Sequence, residues 1–263
     1  MQKRLLLIGP GDIALRALPR LAAEFQVLAL ARTAERAAQL ARLGVHLGIE
    51  ARVADLDSPD SLDAAIEPAD CVLHCAPPAA AGRTDERTRN LLAALTAVIG
   101  KSAARKTPAM VTRRVVYVST SGVYGDCGGQ RVDESRSLNP ATDRARRRCD
   151  AEAVLGQWCA EHKAAFITLR APGIYAADRL PLARLRRGTP VLRREDDVYT
   201  NHIHADDLAA ICVRALADDV PPGAYNASDD GPMLMGDWMD LLADQYGLPR
   251  PPRIARSDAA RNI

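Results

Sequence analysis

The chain has 263 residues, 48% of them apolar, and its 35 lysines and arginines nearly balance 33 aspartates and glutamates, for a net charge of +2. This length allows one large domain or a domain with a small appendage, and the apolar content argues against disorder. The near-neutral charge implies no general field for nucleic acid, and no segment has the apolar length of a membrane span.

Export is not expected from the start of the chain. The apolar run after Met1-Gln-Lys-Arg is short and ends in Gly-Pro-Gly, unlike a signal peptide. Six cysteines, at positions 71, 75, 127, 149, 159 and 212, form no Cys-x-x-Cys pair, so we expect reduced thiols. The sequence predicts a cytoplasmic protein that binds a small molecule and neither nucleic acid nor membranes.

Strands and helices alternate along the chain. The predicted elements are strand Leu5–Ile8, helix Ile13–Ala23, strand Gln26–Ala31, helix Ala34–Leu43 closed by Gly44, strand-like pieces Val45–Leu47 and Ala51–Ala54, helix Ser61–Ala65, strand Cys71–Cys75, helix Arg83–Ile99, strand Arg114–Ser119, helix Thr142–Lys163 and strand Phe166–Arg170. Buried apolar strands that alternate with helices are typical of a Rossmann-type, doubly wound parallel α/β sheet.

The pattern becomes irregular from about residue 172, where prolines and arginines are scattered. We therefore expect a dinucleotide-binding domain over residues 1–171. Residues 172–263 are predicted to form a mixed α/β region that completes the sheet and supplies a small substrate lobe.

The junction between the first strand and the first helix reads G-P-G-D-I-A over residues 9–14, a variant of the dinucleotide fingerprint. Gly9 would make the turn, Gly11 would admit a pyrophosphate, and Ala14 would let the helix pack on the strand. Asp12 and Ile13 begin the helix, whose N-terminal N–H groups and dipole favour an anion. The alternative is a glycine-rich turn that binds no ligand.

The second strand runs into Arg32 and Thr33. NAD-preferring sites carry a carboxylate at this point, whereas an arginine suits the 2′-phosphate of NADP. Arg32, with Arg36 one turn later, therefore predicts NADP, with NAD as the alternative cofactor. An ordinary solvated arginine at the start of a surface helix is the other interpretation.

Two later strand ends complete the predicted cofactor site. Asp55, followed by Leu56, could accept a hydrogen bond from the adenine amino group; the alternative is a helix N-cap, which Asp57 fits better. The next strand closes with small residues that would let the backbone lie against the cofactor: Cys75, Ala76 and Pro77.

Longer segments carry a family resemblance. They read S-T-S-G-V-Y-G over 119–125, L-R-A-P-G-I-Y over 169–175, T-N-H-I-H-A-D-D-L-A over 200–209 and A-Y-N-A-S-D over 224–229. Together with the opening glycines, and in order over roughly residues 3 to 250, they resemble extended and atypical short-chain dehydrogenases/reductases, the sugar epimerase/dehydratase-like proteins. The resemblance implies NAD(P)-dependent reduction or epimerisation of a hydroxyl or keto group on a small polar, sugar-nucleotide-like substrate, and a homodimer built on the two long helices.

The resemblance also implies which residues of this chain bind the cofactor and which take part in catalysis. Its cofactor site comprises Gly9, Gly11, Asp12, Ile13, Arg32, Thr33, Asp55, Leu56, Cys75, Ala76, Pro77, Ser119, Pro172 and Gly173. The pyrophosphate lies at the glycines, the adenine at Asp55 and the nicotinamide near Pro172 and Gly173. Thr120 falls at the catalytic Ser/Thr, whose hydroxyl bonds the substrate oxygen that gains or loses a proton.

The helix that carries the family's Tyr-x-x-x-Lys pair departs from the pattern. Counted back from Glu152, Arg144 stands at the tyrosine position and Arg148 at the lysine position. Arginine does not deprotonate in proteins, so Arg144 cannot serve as the base. Arg148 could still supply positive charge and hydrogen bonds to the nicotinamide ribose.

Three hypotheses follow for catalysis. The first is an enzyme with a relocated acid/base, for which the candidates are Tyr124, Asp143, Tyr175, His202 and His204. The second is a catalytically silent NADP-binding sensor or regulator. In the third, compatible with either, Arg144 and its neighbours bind an anionic substrate. A solvated helix face is the alternative for this arginine run.

One further cluster resembles a metal site superficially: His202, His204, Asp206 and Asp207. No other ligand set converges on it, and the segment suits a hydrogen-bonded loop better. We expect no metal.

Overall fold

The computed structural model describes residues 2–44, 47–104 and 112–259. The first elements are β1 Lys3–Ile8, α1 Asp12–Glu24, β2 Phe25–Ala31, α2 Ala34–Gly44, β3 Glu50–Val53, α3 Pro59–Ala65, β4 Cys71–His74, α4 Glu86–Ala104, β5 Arg114–Thr120, a 3₁₀ turn Ser121–Tyr124, α5 Asp143–Glu161 and β6 Ala165–Ala171. The later ones are β7 Gly173–Tyr175, α6 Leu182–Arg186, β8 Val191–Leu192, a 3₁₀ turn Arg194–Asp196, β9 Tyr199–Thr200, β10 His202–His204, α7 Ala205–Ala215, β11 Gly223–Asn226, β12 Met233–Leu234, α8 Met235–Gln245, β13 Arg253–Ile254 and α9 Arg256–Ala259.

Seven strands form the central sheet, in the order β11-β6-β5-β4-β1-β2-β3, and every neighbouring pair is parallel. The order reverses between β1 and β4, and ligands of such sheets bind beyond the carboxyl ends of the strands at that switch point. The predicted Rossmann-type α/β fold is confirmed.

The central strands β1, β4 and β5 are buried on both faces because they are apolar without alternation. Leu6 and Ile8 of β1 belong to a core cluster that α3, α4 and α5 cover with residues such as Leu62, Leu91 and Leu155. Side chains alternate along a strand, so the intervening leucines of β1 face the side where α1 packs against α7.

The chain forms two compact units. The first contains residues 1–126, 132–171 and 205–227, and the second contains residues 127–131, 172–204 and 228–263. Residues 205–227 belong to the first unit because β11 pairs with β6 and completes the sheet. Arg114, buried on β5, donates to the carbonyls of Ala215, Asp218 and Val220 and so fixes the chain between α7 and β11.

The second unit is built from short paired strands and from the helices α6, α8 and α9. β7 pairs with β10, β8 with β13 and β9 with β12. Its core is a small cluster made of Leu185, Val191, Met239, Leu242 and Ala243.

One predicted element differs in type, and the predicted helix Arg83–Ile99 differs in its bounds, since α4 runs over Glu86–Ala104. A strand-like piece was expected over Val45–Leu47, of which Val45 and His46 lie outside the described residues. Leu47 lies in a turn, because its amide and that of Gly48 both donate to the Gly44 carbonyl, at 2.9 and 2.8 Å. The strand begins only at Glu50.

Across the part of the chain that the structure describes, no helix has both the length and the apolar character needed to cross a membrane.

Candidate functional site

A tight turn joins β1 to α1. Gly9 has a left-handed backbone, with φ at +69°, and a Cβ placed on it would lie 2.5 Å from both the Cα and the N of Ala76. The Gly11 amide donates to the Gly9 carbonyl at 2.7 Å. Gly9 is therefore required twice, by its conformation and by the close approach of the segment after β4.

Gly11 is different, because the protein itself leaves room for a side chain there. A Cβ on Gly11 would meet only the Gly9 carbonyl oxygen, at 3.9 Å. Gly11 is the N-cap of α1, and no side chain caps this helix. A helix N-terminus that is open and uncapped is a site for an anion. The residues present fit a dinucleotide pyrophosphate.

The first helical residues support this geometry. Asp12 accepts from Arg16 Nε at 2.9 Å, and Arg16 Nη1 reaches Asp206 of α7 at 2.8 Å. Ile13 is buried and anchors the first turn. The Asp12 carboxylate is thus paired with a cation, which reduces its repulsion of an anion at the helix end.

Arg32 lies beyond the end of β2 and is exposed, and the structure gives it no hydrogen bond among the described residues. Its neighbour Thr33 accepts from the Arg36 amide at 3.3 Å and so begins α2. The role of Arg32 toward a 2′-phosphate stays a prediction.

The segment after β3 is held by α4. Arg87 donates with Nε and Nη2 to the two carboxylate oxygens of Asp57, at 2.8 and 2.5 Å. This ion pair lowers the pKa of Asp57, and the charge of Arg32 adds a smaller shift in the same direction. Asn90 donates to the Leu56 carbonyl at 2.8 Å. One Asp55 carboxylate oxygen accepts from the Asp57 amide at 3.0 Å. The N-cap of α3 is Ser58, so Asp57 is not the helix cap that the alternative interpretation gave it.

The segment after β4 lies against the glycine turn. The Cys75 amide donates to the Ile8 carbonyl at 2.9 Å, which continues the β1–β4 ladder. Ala76 is buried, while Pro77 is exposed and its carbonyl faces Arg87 at 3.4 Å. A hydrogen bond to the Cys75 thiol, together with burial, raises the pKa of Cys212 on α7. Cys75 and Ala76 therefore lie beside the glycine turn, and their contact with a cofactor stays a prediction.

β5 ends in two hydroxyl residues with different surroundings. Ser119 is buried and donates to a carboxylate oxygen of Glu152 at 2.5 Å. Thr120 is half-buried, and its hydroxyl oxygen accepts from the Gly122 amide at 3.2 Å. A hydroxyl that accepts one bond keeps its own proton to donate. Thr120 is thus the hydroxyl that can serve a substrate oxygen.

Two of the four arginines of α5, at the positions where the resembled family has its tyrosine and lysine, have opposite environments. Arg144 is exposed, with no hydrogen bond to any described residue. Arg148 is buried, and its Nη1 donates to the Tyr117 hydroxyl and the Val118 carbonyl, both at 2.8 Å. Its Nε and Nη2 have no partner in the described parts of the chain. Arg148 is therefore a fixed cation beside the end of β5.

A buried polar relay lies behind Arg148. Thr88 donates to the Asp85 carboxylate at 2.8 Å and lies 3.1 Å from His74 Nε2. Because a hydroxyl has one proton, Nε2 of His74 is the donor, and its Nδ1 remains without a partner among the described residues. Burial lowers the pKa of His74 to about 3, and the charge of Arg148 acts in the same direction, so this histidine is neutral.

A second buried network joins α5, β6 and the 3₁₀ turn. Arg170 forms an ion pair with Glu152 at 2.8 Å, with 8% and 7% of the two side chains exposed. The other end of Arg170 donates to the Tyr124 hydroxyl at 2.8 Å, which donates in turn to Asn226 of β11 at 2.8 Å. The Tyr124 hydroxyl is thus held between two protein groups.

The remaining predicted positions belong to the second unit. Pro172 precedes β7 and Gly173 begins it. Gly173 packs on His202, whose ring stacks on Trp238 with centroids 4.2 Å apart. The rings of Tyr175 and His204 meet edge-on, with centroids 5.2 Å apart. Burial lowers the pKa of His202. The cofactor roles of Pro172 and Gly173 stay predictions.

Several site residues were missed by sequence reasoning: Arg87, Asn90, Asp85, Thr88, Arg170 and Asn226. Arg170 had a signal, because an arginine inside an otherwise apolar strand needs a buried partner. The others lie on helices or strand ends where polar residues are common. Within the described residues no group of histidine, cysteine, aspartate or glutamate side chains could hold a metal ion.

Comparisons with known proteins agree with the observed fold. The family model for the NAD dependent epimerase/dehydratase family matches residues 11–228. No curated protein sequence matches the chain. A structure from Methylobacillus flagellatus, provisionally assigned as an NAD-dependent epimerase/dehydratase, is 27% identical with a TM-score of 0.72, over 97% of this chain and 86% of that one.

Two more distant structures share the fold. The UDP-N-acetylglucosamine 4-epimerase of Methanobrevibacter ruminantium M1, in complex with UDP-N-acetylmuramic acid, is 14% identical with a TM-score of 0.73, over 96% of this chain and 84% of that one. A double mutant of the dTDP-glucose 4,6-dehydratase DesIV of Streptomyces venezuelae, solved with NAD, is 20% identical with a TM-score of 0.75, over 96% and 84%.

Proposed function

The chain belongs to the NAD dependent epimerase/dehydratase family, as its resemblance implied. From this membership we propose that it is an NADP-dependent oxidoreductase. Its reaction is the reduction or epimerisation of a hydroxyl or keto group on a small polar, sugar-nucleotide-like substrate. The turn at Gly9–Gly11 carries the proposal. It presents an uncapped helix N-terminus in front of a glycine that the protein itself leaves uncovered. That arrangement has a physical reason if a pyrophosphate binds there.

Each part of the cofactor has a candidate partner in the first unit. The amides of the turn and the first turn of α1 would bind the pyrophosphate, Arg32 the 2′-phosphate, and the free oxygen of Asp55 the adenine. Arg148 keeps two guanidinium nitrogens for a ribose hydroxyl. When bound, the nicotinamide supplies hydride transfer.

Thr120 would orient the reacting oxygen of the substrate with the hydroxyl proton that the protein leaves unused. Arg144 cannot exchange a proton, but its exposed guanidinium suits a phosphate of a nucleotide-linked substrate. The proton that accompanies hydride transfer must then pass through another group. The candidates for this group are the ones that the sequence offered: Tyr124, Asp143, Tyr175, His202 and His204.

The cofactor preference is tested by Arg32→Ala. We expect the Kd of NADP⁺ to rise by about tenfold to a hundredfold, because hydrogen bonds to charged groups contribute about 1.5–3 kcal/mol. The Kd of NAD⁺ should not change. Titration calorimetry measures both. Arg20→Ala, at an exposed arginine of α1, removes the same charge and should change neither value. Equal weakening of NADP⁺ and NAD⁺ by Arg32→Ala would contradict the assignment.

A catalytically silent NADP-binding regulator is the second candidate. It is favoured by one observation, that α5 presents guanidinium groups at both positions of the family's acid/base pair. Turnover separates the two functions and is measured with a panel of nucleoside-diphosphate sugars. Absorbance of the reduced nicotinamide detects net oxidation or reduction, and chromatography of the sugar products detects epimerisation, which leaves the cofactor in its starting redox state.

For the enzyme, Thr120→Val should lower turnover by about a hundredfold while the Kd of NADP⁺ is kept. Thr120→Ser, which keeps the hydroxyl, should retain most of the activity. Absence of turnover across the panel, together with a partner protein that binds only one redox state of the cofactor, would support the regulator instead.

A further inference from the structure

Arg36 on α2 directs its guanidinium at the glycine turn. Its Nε and Nη2 both donate to the Pro10 carbonyl, at 3.2 and 2.6 Å, and its Nη1 donates to Gln39 at 2.6 Å. All three nitrogens of this side chain are thus engaged within the protein. Arg32, four residues earlier, has no such partner among the described residues.

The carbonyl that Arg36 holds belongs to the central peptide unit of the turn. The peptide between Pro10 and Gly11 is planar, with its carbonyl and its N–H on opposite sides. The carbonyl accepts from Arg36, and the N–H donates to the Gly9 carbonyl at 2.7 Å. This peptide plane is therefore fixed at both ends, and the N–H groups of the first turn of α1 follow directly after it.

We infer that Arg36 is a positioning residue for the pyrophosphate turn, and that selectivity for the 2′-phosphate rests on Arg32 alone. The inference builds on the proposed function and refines it, because the sequence placed both arginines at the 2′-phosphate. A residue that fixes the turn supports NAD⁺ and NADP⁺ equally, since both carry the same pyrophosphate.

Titration calorimetry with three ligands tests this division. Arg36→Ala should weaken NAD⁺ and NADP⁺ by the same factor, about tenfold. It should leave binding of adenosine 2′-monophosphate unchanged, because this ligand carries the 2′-phosphate but no pyrophosphate. Arg32→Ala should weaken the binding of NADP⁺ and of adenosine 2′-monophosphate and leave the binding of NAD⁺ unchanged. Arg42→Ala, at an exposed arginine of the same helix, is the matched control and should change nothing.

Arg36→Lys separates geometry from charge. A lysine keeps the positive charge but cannot donate twice in a fixed plane to one carbonyl, so we expect it not to restore affinity. Full restoration by lysine, or a loss confined to NADP⁺ and adenosine 2′-monophosphate, would overturn the inference.

Amide hydrogen exchange of the cofactor-free protein provides a readout independent of binding. Arg36→Ala should speed exchange in a peptide that covers residues 9–15, and Arg42→Ala should not. An unchanged exchange rate in this peptide would count against Arg36 as a positioning residue for the turn. If the wild type binds none of the three ligands, the proposed function fails, while the exchange rates still decide the role of Arg36.

Discussion

Replacement of Arg170 by methionine is expected to lower the free energy of unfolding by about 3–5 kcal/mol. The substitution removes the cation from an ion pair whose two side chains are only 8% and 7% exposed. Glu152 would keep the hydrogen bond from Ser119 but would remain as a buried carboxylate without its counter-charge. Tyr124 would lose the donor to its hydroxyl. Urea unfolding measures the change.

The matched variants identify the source of the loss. Arg214→Met breaks an ion pair with Asp219 whose side chains are 58% and 73% exposed, and should leave the free energy of unfolding nearly unchanged. Addition of Glu152→Gln to Arg170→Met removes the unpaired charge and should recover part of the stability. An Arg170→Met cost no larger than that of Arg214→Met would show that the buried pair contributes little.

Gly9→Ala is expected to destabilise the protein by about 2–5 kcal/mol and to abolish dinucleotide binding. About 1–2 kcal/mol comes from a left-handed backbone at a residue with a Cβ. A further 1–3 kcal/mol comes from overpacking, because the new methyl group would lie 2.5 Å from backbone atoms of Ala76. Relief of this contact moves the segment after β4 away from the turn.

Gly48→Ala is the control for the conformational part alone. Its φ of +66° is nearly the same, and no described atom lies within 4 Å of the added Cβ. We expect this variant to lose only about 1–2 kcal/mol and to bind dinucleotides as the wild type does. Both values come from urea unfolding, and binding comes from calorimetry. Equal losses in the two variants would refute the proposed contact with Ala76.

The sequence was sufficient to predict the parallel sheet because its central strands have a recognisable pattern. β1 and β5 are runs of apolar residues without alternation, and such runs are buried on both faces. The glycine turn was equally visible, since a strand, two glycines and a helix follow one another directly. These features depend on neighbours in the sequence, so a single chain reveals them.

The surroundings of each site residue depend on partners far along the chain. Arg36 was assigned to a phosphate from its position after β2, but its guanidinium holds the Pro10 carbonyl, 26 residues away in sequence. The hydrogen bonds of Arg148 to Tyr117 and Val118 likewise join groups on separate elements. Nothing in the local sequence encodes such pairs, so residue type predicted the chemistry of each side chain but not its contacts.

The melting temperature of the wild-type protein with NADPH, NADP⁺, NADH and NAD⁺ in turn tests the central claim most directly. A ligand at about a hundred times its Kd adds about 2.7 kcal/mol of stability, which is a shift of several degrees for a chain of this size. We predict such a shift with NADPH and NADP⁺, and a smaller one with NADH and NAD⁺. No shift with any of the four would contradict the assignment of the glycine turn and Arg32 to a dinucleotide.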